Sequence, residues 1–186
     1  MHEGFQRGVQ INLTPTGARR LFGIPMHELT GRVVHTSELL GHDLAERLHA
    51  LPSWGARFDA LEALLTKRMQ RDDPHTRMIE WAAARVATTD MKTPARELGY
   101  SRKHMITLFR EHIGIAPKKL AQLQRFEQLV ARLRQGGSIA WADTALDLGF
   151  FDPSHMIREV RRFAHCTPTE LVQQVNFVQE TLVAGS

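Results

Sequence analysis

The sequence contains a single cysteine, Cys166, and has no long hydrophobic run. One thiol cannot form an internal disulfide, which agrees with a reducing compartment. A membrane helix needs about 18 consecutive apolar residues, and no stretch of this sequence provides them. The start, MHEGFQRGVQ, lacks both the basic beginning and the apolar middle of a secretion signal. These absences predict a cytoplasmic protein without disulfides.

Signatures of metal binding and catalysis are also missing. No HExxH pair and no Cys/His cluster surrounds His104 or His112, so we interpret both side chains as packing or capping residues. The sequence therefore predicts no metal, no cofactor and no catalytic residue. It does not identify a small-molecule effector.

The positive charge of the chain is concentrated in one region. Residues 1–74 carry nine Lys or Arg and nine Asp or Glu, whereas residues 75–172 carry fifteen and ten, a net charge of +5. A local basic excess favours a polyanionic partner such as nucleic acid. Taken alone, the charge is explained equally well by a solvated helix surface.

The basic region contains an internal repeat, in which SRKHMITLFREHIGIAPKKL is followed by DPSHMIREVRRFAHCTPTEL. An offset of 50 residues aligns the pattern AxxLGY, which starts at Ala95, with AxxLGF, which starts at Ala145. An offset of 51 aligns HMI at 104–106 with HMI at 155–157. One extra residue in the second turn accounts for the change of offset.

Each copy predicts a short helix that ends near a glycine, a turn, and a longer helix that stops before a proline. The longer helices carry apolar residues at three- and four-residue spacing on one side and basic residues on the other. An ordinary helical hairpin would explain one such copy. Two copies favour two helix-turn-helix units, each of which lays its second helix in the DNA major groove. The residues that recur at this spacing on the inner side are Met105, Leu108, Phe109 and His112 in the first copy and Met156, Val160 and Phe163 in the second.

The segment between the copies, PKKLAQLQRFEQLVARLRQGG, predicts one amphipathic helix over residues 118–135 that ends at Gly136-Gly137. Eighteen residues span ~27 Å, and successive major-groove segments on one face of the duplex lie ~34 Å apart. The repeat therefore predicts two recognition helices in successive major-groove segments. The apolar side of the linker is predicted at Leu120, Leu123, Phe126, Val130 and Leu133.

These motifs resemble the DNA-binding domain of AraC/XylS-type bacterial transcription regulators. The resemblance is carried by LGF, SHM, Arg158, RRF at 161–163 and Pro168, and by LGYS and LFREHIGIAP in the first copy. It covers roughly residues 75–172 and implies an all-α, seven-helix domain with two helix-turn-helix motifs joined by a long linker helix. It also implies that DNA is contacted by Arg102, Lys103, Ile106 and Thr107 from the first recognition helix and by Pro153, Ser154, His155 and Arg158 from the second.

The side chains predict different roles at such an interface. Arg158 is the first candidate for base recognition, because a guanidinium can donate two hydrogen bonds to a guanine edge. Lys103 and His155 suit either bases or phosphates. Ile106 suits either a thymine methyl group or the rim of the helical core. The predicted phosphate anchors, which add affinity without sequence information, are Arg102, Arg110 and Arg162.

Four positions depart from the family pattern. Pro94 and Thr144 stand where a large aliphatic residue usually precedes the alanine of each short helix. Pro94 is compatible with the short helix if Thr93 is the N-cap and Pro94 is the first helical residue. Glu159 stands where a small residue is usual, and Val160 replaces a phenylalanine. These changes leave the predicted fold intact.

The first 74 residues predict a partial α+β segment. GVQINLTP alternates apolar residues as a strand does, and TGARRLFGIPMHELTGRVV predicts a short helix and loops. Two amphipathic helices are predicted in ELLGHDLAERLHALPSW and ARFDALEALLTKRM. Since a lone strand cannot satisfy its hydrogen bonds, this segment resembles the remnant or C-terminal part of the sensor or dimerisation domain that precedes such DNA-binding domains. The predicted regions are thus 1–74, 75–172 and a C-terminal tail at 173–186.

Three functions are compatible with these observations. The first is a sequence-specific regulator, activator or repressor, that binds promoter DNA and contacts or blocks RNA polymerase. The second is a shortened binding module that competes for sites or pairs with another regulator chain without recruiting polymerase. The third is a cysteine-dependent transferase, although no His/Asp or His/Glu arrangement near Cys166 is evident to activate its thiol. We predict the first function and no enzymatic activity.

Overall fold

The computed structural model describes residues 8–70, 73–86, 92–136 and 139–175. Within these ranges the chain is built of helices and turns, and no residue lies in a strand. In chain order the helices are α1 (Pro15–Phe22), α2 (Thr36–Leu40), α3 (Leu44–His49), α4 (Trp54–Met69), α5 (Thr76–Ala83), α6 (Lys92–Glu97), α7 (Arg102–Ile113), α8 (Pro117–Arg134), α9 (Trp141–Asp147) and α10 (Pro153–Ala164), and residues 168–175 are also helical.

The chain divides into two compact units that interleave along the sequence. The first unit consists of residues up to 80 together with 103–115, and the second consists of 81–102 and the residues from 116 onward. Most of α7 therefore belongs to the same unit as the N-terminal segment. The domain boundaries expected from the sequence, near residues 74 and 172, stay a prediction.

The first unit is organised around α1, which packs against α4 and against a 3-10 turn at Met26–Glu28. Thr14 caps α1 by accepting a 3.0 Å hydrogen bond from the Gly17 amide, and Pro15 occupies the first helical position, where its missing N–H costs nothing. The buried apolar residues of this unit include Leu21, Met26, Leu61, Ile79, Met105, Leu108 and Phe109.

Two expectations for the N-terminal segment are wrong. The strand predicted in GVQINLTP is not formed, because residues 8–14 have no regular secondary structure and no other described residue forms a strand that could pair with them. Val9 and Ile11 are exposed instead. The first predicted amphipathic helix is two short helices, α2 and α3, because Gly41 between them has a φ of 106° that no helix accommodates. The α+β description of this segment is therefore not confirmed.

The region from 76 to 175 agrees with the predicted all-α architecture. Seven helical segments lie there among the described residues, namely α5 to α10 and residues 168–175. In the second unit, α10 packs against α8 and α9. The core of that unit is a cluster of buried residues from these helices and their connections: Leu129, Leu133, Ala145, Phe150, Met156, Val160, Leu171 and Val175.

The linker helix α8 has the predicted length of eighteen residues, and its position differs from the prediction by one residue. Gly136 follows it with a φ of 72°, as expected of a helix stop, whereas Gly137 lies outside the described residues. The apolar stripe was predicted only in part. Leu133 is buried and Phe126 and Val130 pack against the core, but Ala121 and Leu129 are buried where Leu120 and Leu123 were expected.

Residues 168–175 begin with a reciprocal cap. The Thr167 amide donates a 2.7 Å hydrogen bond to Glu170 Oε2, and the Glu170 amide donates to Thr167 Oγ1 at 3.3 Å. This arrangement satisfies amides that a helix start leaves unpaired. The hydrogen bond from the Thr167 amide, with that from its hydroxyl, holds the pKa of Glu170 below its usual value. Residues 176–186, most of the predicted tail, lie outside the described part of the chain.

None of the helices that the structure describes is both long enough and apolar enough to span a membrane.

Candidate nucleic-acid interface

The two turns that precede the longer helices have the same hydrogen-bonding pattern. In the first copy the Tyr100 amide donates to the Ala95 carbonyl oxygen at 2.8 Å, and in the second the Phe150 amide donates to the Ala145 carbonyl oxygen at 2.9 Å. The glycine before each aromatic residue has a positive φ, 71° at Gly99 and 76° at Gly149. These are helix endings of the Schellman type, which require a left-handed residue that glycine provides without strain.

The offsets read from the sequence agree with the helix boundaries. The short helices α6 and α9 end at Glu97 and Asp147, 50 residues apart, and the longer helices α7 and α10 begin at Arg102 and Pro153, 51 residues apart. The second turn is therefore one residue longer, as predicted. Both copies form a short helix, a glycine turn and a twelve-residue helix.

Two of the four residues that depart from the family pattern are accommodated inside the short helices. Pro94 and Thr144 are both buried. Pro94 is the third residue of α6, which begins at Lys92, so the expectation that Pro94 begins the helix is wrong. It still lies within the first turn, where the backbone N–H groups have no partner inside the helix and the missing one costs little.

The predicted DNA contacts of the first copy lie on one face of α7. Lys103, Thr107 and Arg110 follow one another at helical spacing and are exposed, as is Arg102 at the start of the helix. Ile106 is half-buried, which agrees with a place at the rim of the core. The opposite face of α7 is fully packed, since Met105, Leu108, Phe109 and His112 are buried.

The predicted contacts of the second copy lie on the corresponding face of α10. Pro153, Ser154, Arg158 and Arg162 are exposed. Asp152 caps the helix by accepting a 2.5 Å hydrogen bond from the His155 amide through Oδ1, and Pro153 is the first helical residue. A capped helix start presents free N–H groups and a partial positive charge, which favour a phosphate nearby.

His155 differs from the other predicted contacts because both nitrogens of its ring lie against partners within the protein. Nδ1 accepts a 3.2 Å hydrogen bond from the Phe151 amide, and Nε2 lies 3.0 Å from Glu159 Oε1. The first contact requires an unprotonated Nδ1, so Nε2 carries the proton that faces the carboxylate. The ring also meets Phe150 edge to face, with 5.8 Å between the centroids. His155 is thus held in one orientation at the start of α10.

Glu159 is a buried acid at the centre of a small ionic group. Its side chain is 4% exposed and its Oε1 lies 3.0 Å from Nη2 of Arg125 on α8, as well as against His155. A carboxylate buried to this extent needs a positive partner, because its desolvation is otherwise too costly. The departure from a small residue at 159 is therefore compensated by Arg125, and the ion pair joins α10 to the linker helix α8.

The linker helix also contacts the far end of α10. The rings of Phe126 and Phe163 pack with 5.4 Å between their centroids, and Nζ of Lys119 lies 4.1 Å from the centroid of the Phe163 ring. Cys166 is half-buried and packs against the core of the same unit. These contacts fix α10 at both ends while leaving its basic face in solvent.

The structure also brings together a second polar group that the sequence did not reveal. Asp73, His75 and His112 lie within 4.8 Å of one another, measured between their closest ligand atoms. Burial lowers the pKa of His112 below its usual value, although the Asp73 carboxylate opposes the shift. The sequence did not predict this cluster, because the two histidines are 37 positions apart and no local spacing motif connects them.

The comparison with protein families supports the assignment of the second half of the chain. Residues 95–174 match a family model described as a helix-turn-helix domain. No curated protein and no solved structure matches the chain. The matched range begins at the alanine of α6 and includes both turn motifs, the linker helix and both twelve-residue helices. The match to a helix-turn-helix family over residues 95–174 supports an AraC/XylS-type DNA-binding domain in this part of the chain.

Proposed function

We propose that this protein is a sequence-specific transcription regulator that inserts α7 and α10 into two successive major-groove segments of promoter DNA. The observation that carries the proposal is the repeated motif. The same glycine turn precedes a twelve-residue helix twice, and each of these helices exposes basic residues on the face opposite its buried stripe. A recognition helix needs this division between a packed face and a solvent-exposed face.

The two recognition helices carry different side chains at equivalent positions, which favours an asymmetric binding site. At the 51-residue offset, Lys103 corresponds to Ser154 and Thr107 corresponds to Arg158. Hydroxyl, ammonium and guanidinium groups make different hydrogen bonds with base edges. Two helices with the same fold are therefore expected to recognise different short sequences.

Arg158 is the residue that we propose for base recognition. It is exposed on α10, one helical turn beyond Ser154. His155 lies on the same helix, but its ring nitrogens already face the Phe151 amide and Glu159. We propose that His155 positions the start of α10 instead of reading bases through its ring. Arg102, Arg110 and Arg162 are proposed as phosphate anchors because they are exposed and basic.

Selection of binding sites from random duplex DNA tests the proposal. The purified chain is incubated with the library at low and at moderate salt, and bound DNA is sequenced. We expect enrichment of an asymmetric site with two short submotifs about one helical turn apart. The expected affinity falls as salt rises, because phosphate contacts release counterions.

Binding that appears only at low salt, without enrichment of any sequence, would show that the basic helices bind DNA electrostatically and do not read bases. Enrichment of a single submotif would show that one recognition helix is inactive. The variants Arg158→Ala and Lys103→Ala then identify which helix recognises which submotif.

We also propose RNA polymerase as the partner through which the bound regulator acts. Transcription in vitro from a promoter that carries the selected site tests this partner. A change in transcript level that disappears when the site is scrambled is the expected result. Unchanged transcription with the site fully occupied would argue against an effect on polymerase.

A further inference from the structure

We propose that Asp73, His75 and His112 form a binding site for a divalent transition metal such as Zn²⁺. Asp73 and His75 precede α5, whereas His112 lies in the last turn of α7. All three residues belong to the first compact unit. The site lies on the buried side of α7, away from its basic face. Metal binding there does not depend on the DNA sequence that is bound.

The distances between the side chains suit a shared metal ion. Nδ1 of His112 lies 3.4 Å from Oδ2 of Asp73, and Nδ1 of His75 lies 4.0 Å from Oδ1 of Asp73. Two ligands at about 2.1 Å from a tetrahedral zinc ion are about 3.4 Å apart. The Asp73 and His112 atoms already have this separation. One ligand atom from each of the three residues lies within 4.8 Å of the others, and the His75 ring is partly exposed.

The state of His112 is the second observation that points to a ligand. Its side chain is 3% exposed, and its Nδ1 is buried without a hydrogen-bond partner, although Asp73 is nearby. A buried polar atom in this state is costly and uncommon in folded proteins. A metal ion at the centre of the cluster would engage the lone pair of this nitrogen.

The chemistry of the ligands selects the kind of metal. Two imidazoles and one carboxylate suit Zn²⁺ and similar transition metals, whereas Mg²⁺ and Ca²⁺ prefer oxygen ligands. Asp73 is fixed because its Oδ1 accepts a 3.0 Å hydrogen bond from the His75 amide. Arg19, whose Nε lies 3.9 Å from Asp73 Oδ2, offsets part of the negative charge of this carboxylate. His75 is 38% exposed, so water can complete the coordination.

A bound metal would join the end of the first recognition helix to the N-terminal segment. The connection already exists through Thr30, whose hydroxyl donates to the carbonyl oxygen of Gly114 at 3.0 Å. Metal binding would add a second connection at His112, one that depends on metal availability. We expect it to raise the thermal stability of the unit that contains most of α7.

The test uses the full chain, stripped of metal with EDTA and dialysed. Zn²⁺ is titrated by calorimetry, and Co²⁺ is added in parallel because its visible absorption reports tetrahedral coordination. The variants are His75→Ala and Asp73→Asn, which keeps an oxygen acceptor for the His75 amide. His49→Ala is the matched control, since His49 is an exposed histidine of the same unit on α3. Circular dichroism verifies that each variant is folded.

We expect one Zn²⁺ per chain, intense Co²⁺ absorption, and a higher midpoint of thermal unfolding with zinc. His75→Ala and Asp73→Asn should weaken zinc binding at least tenfold and abolish the shift in the midpoint, while His49→Ala should bind as the unaltered chain does. Absence of binding at micromolar zinc would overturn the proposal. Equal binding by folded His75→Ala would also overturn it, because the metal would then lie elsewhere.

Discussion

The two proposed recognition helices, α7 and α10, have the same local structure but different surroundings. The end of α7 meets the N-terminal segment, where Thr30 contacts Gly114 and Asp73 lies beside His112. Helix α10 is held by α8, α9 and residues 168–175, which share one apolar core. A sequence repeat therefore reproduces the helix and its turn, but it does not reproduce the neighbours that fix the helix in place.

Equivalent positions on the inner faces show how far the two copies have diverged. At the 51-residue offset, buried Leu108 corresponds to buried Glu159, and His112 corresponds to Phe163. The first copy therefore has an apolar residue where the second has an acid paired with Arg125. Each copy contains one polar residue on its inner face, and each of these residues has a charged neighbour from outside its own helix-turn-helix motif.

The largest loss of unfolding free energy is expected when the ion pair between Glu159 of the second copy and Arg125 is broken. Glu159→Ala removes the carboxylate and leaves Arg125, whose side chain is 13% exposed, without its partner. Loss of one member of a buried pair costs about 3–5 kcal/mol of unfolding free energy. Chemical denaturation measures this loss, with Glu127→Ala on the exposed side of α8 as a control that should change little. Equal stability of both variants would show that the pair is solvated.

The next largest loss of stability is expected at Gly114, which contacts Thr30 of the N-terminal segment. A Cβ at Gly114 would lie 2.4 Å from Thr30 Oγ1 and 3.0 Å from the Met26 carbonyl oxygen, and its φ is 91°. Gly136 also has a positive φ, 72°, but open space around it.

Gly136→Ala should thus lower the unfolding free energy by about 1 kcal/mol, because alanine is strained in the left-handed conformation. Gly114→Ala should lower the unfolding free energy by about 1–3 kcal/mol more, because its Cβ would also clash with Thr30 and Met26. Denaturation of the two variants under the same conditions provides the comparison. Similar losses for both would mean that the contact with the N-terminal segment does not support α7.

The division between base recognition and phosphate binding gives the third prediction. Arg158→Ala should remove about 1–3 kcal/mol of discrimination at one or two base pairs. Arg102→Ala should weaken binding to all sequences alike and reduce the salt slope by about one. Fluorescence anisotropy with the selected site and with random DNA over a series of salt concentrations measures both quantities. If both variants lose the same affinity on both DNAs, the assignment of roles is wrong.

The smallest effect is a pH dependence in the first unit. Burial lowers the pKa of His112, Arg19 and His75 act in the same direction, and Asp73 and Glu111 oppose the shift. The unfolded chain therefore binds a proton at a higher pH than the folded chain, so stability present above about pH 6.5 is lost as the pH falls toward the lowered pKa.

Thermal unfolding in EDTA between pH 8 and pH 5 measures this dependence. His112→Gln should flatten the curve in that range, whereas His49→Ala should not. An unchanged slope in His112→Gln would assign the dependence to another group.

The sequence by itself determined the repeated part of the fold. The patterns AxxLGY and AxxLGF, the two offsets and the spacing of Met105, Leu108 and Phe109 predicted helix ends and buried faces correctly. These features are local, since a glycine with a positive φ ends a helix wherever it occurs and a helical stripe must be buried on one side. The exposed basic faces of α7 and α10 followed for the same reason.

Only the tertiary structure decided what lies around those helices. The alternation of Val9, Ile11 and Leu13 suggested a strand, but a strand requires a partner that local sequence does not supply. The pairing of Arg125 with Glu159 and the approach of His112 to Asp73 join residues 34 and 39 positions apart. Long-range contacts of this kind depend on how helices pack against one another, and a single sequence carries no periodic signal for them.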